Sequence, residues 1–74
     1  DTYAWILYKL GEYKLARQEI EKAIELNENS SVILDHYGDI LHSLGLTDQA
    51  KLQWEKAYEL DTEAVQIKKK LKIE

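Results

Sequence analysis

The sequence predicts an all-α fold of two antiparallel helical hairpins stacked side by side with one further helix after them, and three observations carry that prediction. The 74-residue chain has no Pro and three Gly, at 11, 38 and 45, while Leu, Ile, Ala, Glu and Lys abound, which is the vocabulary of helices. Its apolar residues recur at helical spacing, as in Ala16, Ile20, Ala23 and Ile24 and again in Ala50, Trp54, Ala57 and Tyr58. Finally, the chain matches itself at an offset of 34. Twelve of thirty aligned pairs are identical, among them Tyr3/Tyr37, Ile6/Ile40, Leu7/Leu41, Leu10/Leu44, Gly11/Gly45, Ala16/Ala50 and Ala23/Ala57, where composition alone gives roughly two.

Taken in order, the pattern predicts helices over 2–10, 14–27, 31–44, 48–60 and 63–72. Gly11 and Gly45 each stand between two apolar helical stretches, the place for a left-handed residue that ends one helix before an antiparallel partner begins. Thr47 is then a candidate cap for the fourth helix, and the polar run 27–31 supplies several for the third. Short loops between helices force antiparallel neighbours. The expected divisions of this single domain are a first repeat over 1–30, a second over 31–62 and a capping helix over 63–74.

Composition narrows the function classes. Apolar residues at 45% and charged residues at 32% argue against disorder, and no apolar run approaches the roughly 20 residues of a spanning helix. Cysteine is absent, which rules out a disulfide framework and thiolate zinc sites. Residues 1–67 carry six Lys/Arg against thirteen Asp/Glu, a formal −7, whereas 68–74 carry four against one, +3. An acidic body repels phosphate backbones and argues against nucleic acid as principal partner. The basic tip, Lys68, Lys69, Lys70 and Lys72, also reads as the favourable end of a helix dipole. With no Met and no charged-then-apolar leader after Asp1, the chain reads as a piece of a longer protein, and its compartment stays open.

Period, two-helix unit and residue pattern together resemble the tetratricopeptide repeat, whose signature is W-x2-L-G-x2-Y followed by A-x3-F and later Ala and Pro. In the second copy Leu34, Tyr37, Gly38 and Leu41 stand at the first set, Ala50 and Trp54 at the A-x3-F set and Ala57 at the later Ala; in the first copy Tyr3, Ala4, Leu7, Ala16, Ile20 and Ala23 correspond. The small residues let paired helices approach closely, and large ones such as Trp54 are expected to fill the space between hairpins. Glu28 and Thr62 replace the family's Pro. The last helix aligns as the first helix of a third repeat, with Ile67 and Leu71 at core positions and Lys72 at the small-residue position, where it would clash with a following helix; this implies a terminal cap. Tyr3, Ile6 and Leu7 would lack the cover of a preceding repeat and leave an apolar face for self-association as a homodimer.

The resemblance implies a non-catalytic protein–protein interaction scaffold that takes a partner peptide or helix on a concave face lined by the first helix of each repeat. By position that face comprises Trp5, Tyr8 and Lys9 with Asp1 and Thr2, then Asp35, His36, Asp39 and His42 with Val32 and Ser43, then Lys69 and Lys70 with Gln66. Trp5 and Tyr8, three apart on an expected exposed face, would anchor partner side chains; alternatively they cover apolar surface at the open end. Asp35, His36, Asp39 and His42 include metal-ligand residue types, but His36 and His42 are six apart, roughly 240° around a helix, whereas a helical two-His site uses a spacing of four. Neither metal nor cofactor is expected. One subgroup of the family clamps a partner's C-terminal carboxylate with Lys, Asn and Arg; Asp1, Trp5, His36, Gln66 and Lys70 stand there, and only Lys70 keeps a suitable charge. Catalysis finds no Cys, no Gly-rich phosphate loop and no G-x-S-x-G. Carboxylates such as Glu21 and Glu25 are expected in surface pairs with partners like Lys22.

Overall fold

The computed structural model describes residues 2–27 and 30–71. Five helices follow one another: α1 (Thr2–Lys9), α2 (Tyr13–Leu26), α3 (Ser31–Ser43), α4 (Thr47–Leu60) and α5 (Val65–Leu71). Helices α1 and α2 pack as one hairpin and α3 and α4 as a second; α2 meets α3, and α5 lies against α4. The expected all-α hairpin stack is therefore the observed one.

The two hairpin turns have the same construction. Gly11 and Gly45 both adopt φ +84°, a conformation that suits only glycine at low cost. At the first turn the Gly11 N–H donates to Tyr8 O and the Glu12 N–H to Leu7 O; at the second the Gly45 N–H donates to His42 O and the Leu46 N–H to Leu41 O. This paired pattern closes the carbonyls of the outgoing helix. It also explains why Thr47 is not the cap expected of it. The residue that completes the turn, Leu46, is already the N-cap, and it lacks a side-chain cap bond while Thr47 is the first helical residue. Leu46 instead packs its side chain on the second hairpin's core. Of the candidates in 27–31, Ser30 caps α3, its Oγ accepting from the Ile33 N–H at 3.3 Å. Helix α5 starts two residues later than expected, because Asp61 Oδ1 accepts from the Glu63 N–H at 3.2 Å and holds that stretch in a turn.

Two apolar clusters fill the stack. Ala4, Leu7, Ala16 and Ile20 of the first hairpin take in Ile40 from α3. Leu34, Leu41, Ala50, Trp54 and Ala57 of the second take in Ala64 and Ile67. Tyr37 packs on both, and its hydroxyl donates to Glu21 Oε2 at 2.7 Å, tying α3 to α2. Glu21 also accepts from Arg17 at 3.1 Å, and Lys22 pairs with Glu19 rather than with Glu21 or Glu25. Trp54 fills space inside its own hairpin as well as toward α5: a Cβ at Gly38 would clash with Nε1, Cδ1 and Cε2 of the indole, so glycine there is a packing requirement.

Equivalent residues of the two repeats differ sharply in exposure. Ile40 is fully buried against the first hairpin, whereas Ile6, thirty-four residues earlier, is 49% exposed. Tyr3 and Leu10 are 60% and 71% exposed. Leu7, expected on that open face, is instead buried within the first hairpin, because its position points at α2. The uncovered apolar face of α1 is thus Tyr3, Ile6 and Leu10. Asp1, Glu28 and Lys72 lie outside the described residues, and with them the expected clash at Lys72.

Candidate interaction surface

Helices α1, α3 and α5 occupy equivalent places in successive repeats, so the residues proposed from the sequence fall on neighbouring helices. At the junction of α1 and α3, Trp5 stacks on His36, with ring centroids 4.2 Å apart and 20° between planes. Tyr8 stacks on Trp5 at 4.9 Å, and Tyr13 of α2 leans on Tyr8 at 5.6 Å. Lys9 places its ammonium 5.0 Å from the Trp5 ring. The expectation of an exposed Trp5–Tyr8 anchor is corrected by this arrangement: both are half-buried, and Trp5 already has ring partners.

The acidic wall is likewise engaged from within. Lys70 of α5 reaches Asp35 Oδ1 at 2.6 Å and Asp39 Oδ1 at 2.8 Å, with Asp39 Oδ2 at 3.0 Å. Asp35 is only 6% exposed, and burying a carboxylate without a counter-charge is costly. Burial acts to lower the Lys70 pKa, but its hydrogen bonds to Asp35 and Asp39 and their charges outweigh that and raise it. Trp54 completes the group: its Nε1–H donates to Asp35 O at 3.2 Å, and its ring lies 5.7 Å from the Lys70 ammonium.

The two histidines diverge, as their spacing predicts. His36 faces Trp5, while exposed His42 tilts against Trp54 at 5.9 Å. Burial pushes the His36 pKa below 6.5, opposed by Asp35 and Asp39 and assisted by Lys70. Lys9, Val32, His42, Ser43, Gln66 and Lys69 are exposed members of the set, and Trp5, Tyr8, His36, Asp39 and Lys70 are partly covered. Away from this face, a groove of about 500 Å³ is lined by Lys14, Arg17, Gln18, Glu21, Leu44 and Leu46. Sequence reasoning placed the Asp and Lys residues on one surface but missed their direct pairing, and missed Tyr13 as the end of the aromatic row.

Among the described residues no helix is long and apolar enough to cross a membrane. Compared with family models, residues 1–30 match one for the tetratricopeptide repeat and residues 33–69 match a second of the same description. Comparison with curated proteins and with solved structures gives no match.

Proposed function

Because the chain belongs to the tetratricopeptide-repeat family, whose members are characteristically non-catalytic interaction modules, we propose that it binds a partner peptide or helix across the face formed by α1, α3 and α5. The observation that carries this reading is the run of mutual contacts along that face: Tyr8 on Trp5, Trp5 on His36, and Asp35 and Asp39 on Lys70. Side chains held by one another lose little freedom when a partner arrives, which is how a preformed surface gains affinity. Exposed Lys9, His42 and Lys69 flank it as polar contacts, in keeping with an interface rim. The reading includes neither catalysis nor nucleic acid. The two best-placed carboxylates are taken up by Lys70, and the net charge of −4 disfavours a phosphate backbone.

The test uses substitutions that spare the core. Lys9→Glu, His42→Ala and Lys69→Glu, all at exposed positions, should each weaken capture of a bound partner protein, while Lys51→Glu on α4 leaves it unchanged. Equal capture by all four would remove the assignment.

A second reading rests on α1. Tyr3, Ile6 and Leu10 are exposed, whereas the residues equivalent to the last two, Ile40 and Leu44, pack on the neighbouring hairpin. Contiguous apolar surface of that kind marks an association site, and in this reading the occupant is a second copy of the chain.

A further inference from the structure

We propose that Asp35, Asp39 and the Trp54 indole form a recognition site for a primary ammonium group, filled in cis by Lys70, which a lysine-bearing partner segment gains only by displacing the last turn of α5. The partner clause rests on the interaction face argued above; the cation site stands on its own geometry.

The walls and the occupant come from different elements. Both carboxylates project from α3 and the indole from α4. The indole is fixed twice over, by its hydrogen bond to Asp35 O and by its seat on Gly38. Only the cation comes from α5. An ammonium has three N–H donors, and Lys70 Nζ lies within 3.0 Å of three carboxylate oxygens. Convergence on a single nitrogen suits an ammonium better than the planar fork of a guanidinium. The ring 5.7 Å away adds a cation–π contribution.

The occupant sits on a short element. Helix α5 is anchored by Ile67, which is buried in the second cluster, and half-buried Leu71 packs on the same cluster, so Lys70, nearly a turn beyond Ile67, leaves the site only when Leu71 also lifts. The final turn of a short helix opens at low free energy while its anchor stays in place. The equivalent junction one repeat earlier holds Trp5 and His36 in an aromatic stack, so the ammonium site belongs to this junction alone among the described residues.

The experiment vacates the site and refills it in trans. Lys70→Ala should lower the melting temperature and shift the Trp54 indole N–H resonance. Methylammonium chloride at ~100 mM should then recover roughly half or more of the lost melting temperature and return the indole resonance toward its original position. Tetramethylammonium chloride at equal concentration has the same charge but no N–H donor and should do neither. Asp39→Asn combined with Lys70→Ala should abolish the rescue. If Lys70→Ala does not fold alone, methylammonium chloride should restore its folding and tetramethylammonium chloride should not. An equal response to the two salts, or rescue that persists without the Asp39 carboxylate, overturns the proposal. Since rescue is read on the chain alone, it succeeds or fails independently of partner capture.

Discussion

Trp5 lies flat on His36 across the first repeat junction, and the residues thirty-four positions further on, Asp39 and Lys70, meet across the second at 2.8 Å. The same two places in the repeat thus make both junctions, one by stacking aromatic rings and the other by pairing charges. Neighbouring first helices are fastened side by side at the surface proposed above for partner binding, so that proposal places a partner on residues that already join the repeats.

Coupling between Trp5 and His36 should be measurable. In a double-mutant cycle of Trp5→Leu and His36→Leu, unfolding in urea should give an interaction free energy of about 0.5–1.5 kcal/mol. Additive effects would mean that the rings merely adjoin.

Glycines with different roles should respond differently. Gly38→Ala drives a methyl group against the Trp54 indole and should cost about 2–3 kcal/mol through overpacking and a displaced indole. Gly11→Ala and Gly45→Ala meet open space and should cost about 1 kcal/mol each, from the positive φ alone. Urea denaturation of the three variants checks the order.

Two groups set opposite pH limits on stability. Burial lowers the His36 pKa in the folded chain, so a proton binds the unfolded chain more tightly; the stability this protects is intact above about pH 6.5 and is lost as pH falls through the lowered folded value. Thermal unfolding at pH 7, 6 and 5 should show a steeper loss for the native chain than for His36→Gln. Lys70 has the opposite sign. Its folded pKa is raised above 10.5, so its contribution is complete below that value and lost as pH rises through the raised one. Between pH 9 and 11.5 the native chain should lose more stability than Lys70→Met, by urea midpoint.

Self-association should depend on the outer face of α1. Sedimentation equilibrium over a concentration series should show dimers for the native chain and monomers for Ile6→Lys, since Ile6 is exposed and removing its apolar surface leaves the core intact. Monomers throughout would leave that face without a role in pairing copies of this chain.

Much of the fold was legible because a 34-residue self-match, two well-placed glycines and helical spacing all point to one architecture. Helix ends fell within one or two residues of expectation, and the misplaced cap at Thr47 came from a turn residue, Leu46, that serves two helices at once. The interaction face was legible as a set of positions but not as contacts. Trp5 aligns with Asp39 and His36 with Lys70, and a self-comparison scores both as mismatches even though Trp5–His36 and Asp39–Lys70 make equivalent junctions. Helical periodicity fixes the direction in which a side chain leaves its helix, and says nothing of how closely the next hairpin approaches. For that reason Trp5 is half-covered where spacing alone leaves it exposed, whereas Leu7 is buried by α2 of its own hairpin.

Whether a partner lies across α1, α3 and α5 can be read by site-specific photo-crosslinking. A benzophenone amino acid is placed at Tyr8 or His42 on the proposed face and, as a reference, at Gln18 on α2, and the covalently trapped proteins are compared. The account predicts one partner trapped through Tyr8 and His42 and not through Gln18. Trapping of that partner through Gln18 alone would contradict it.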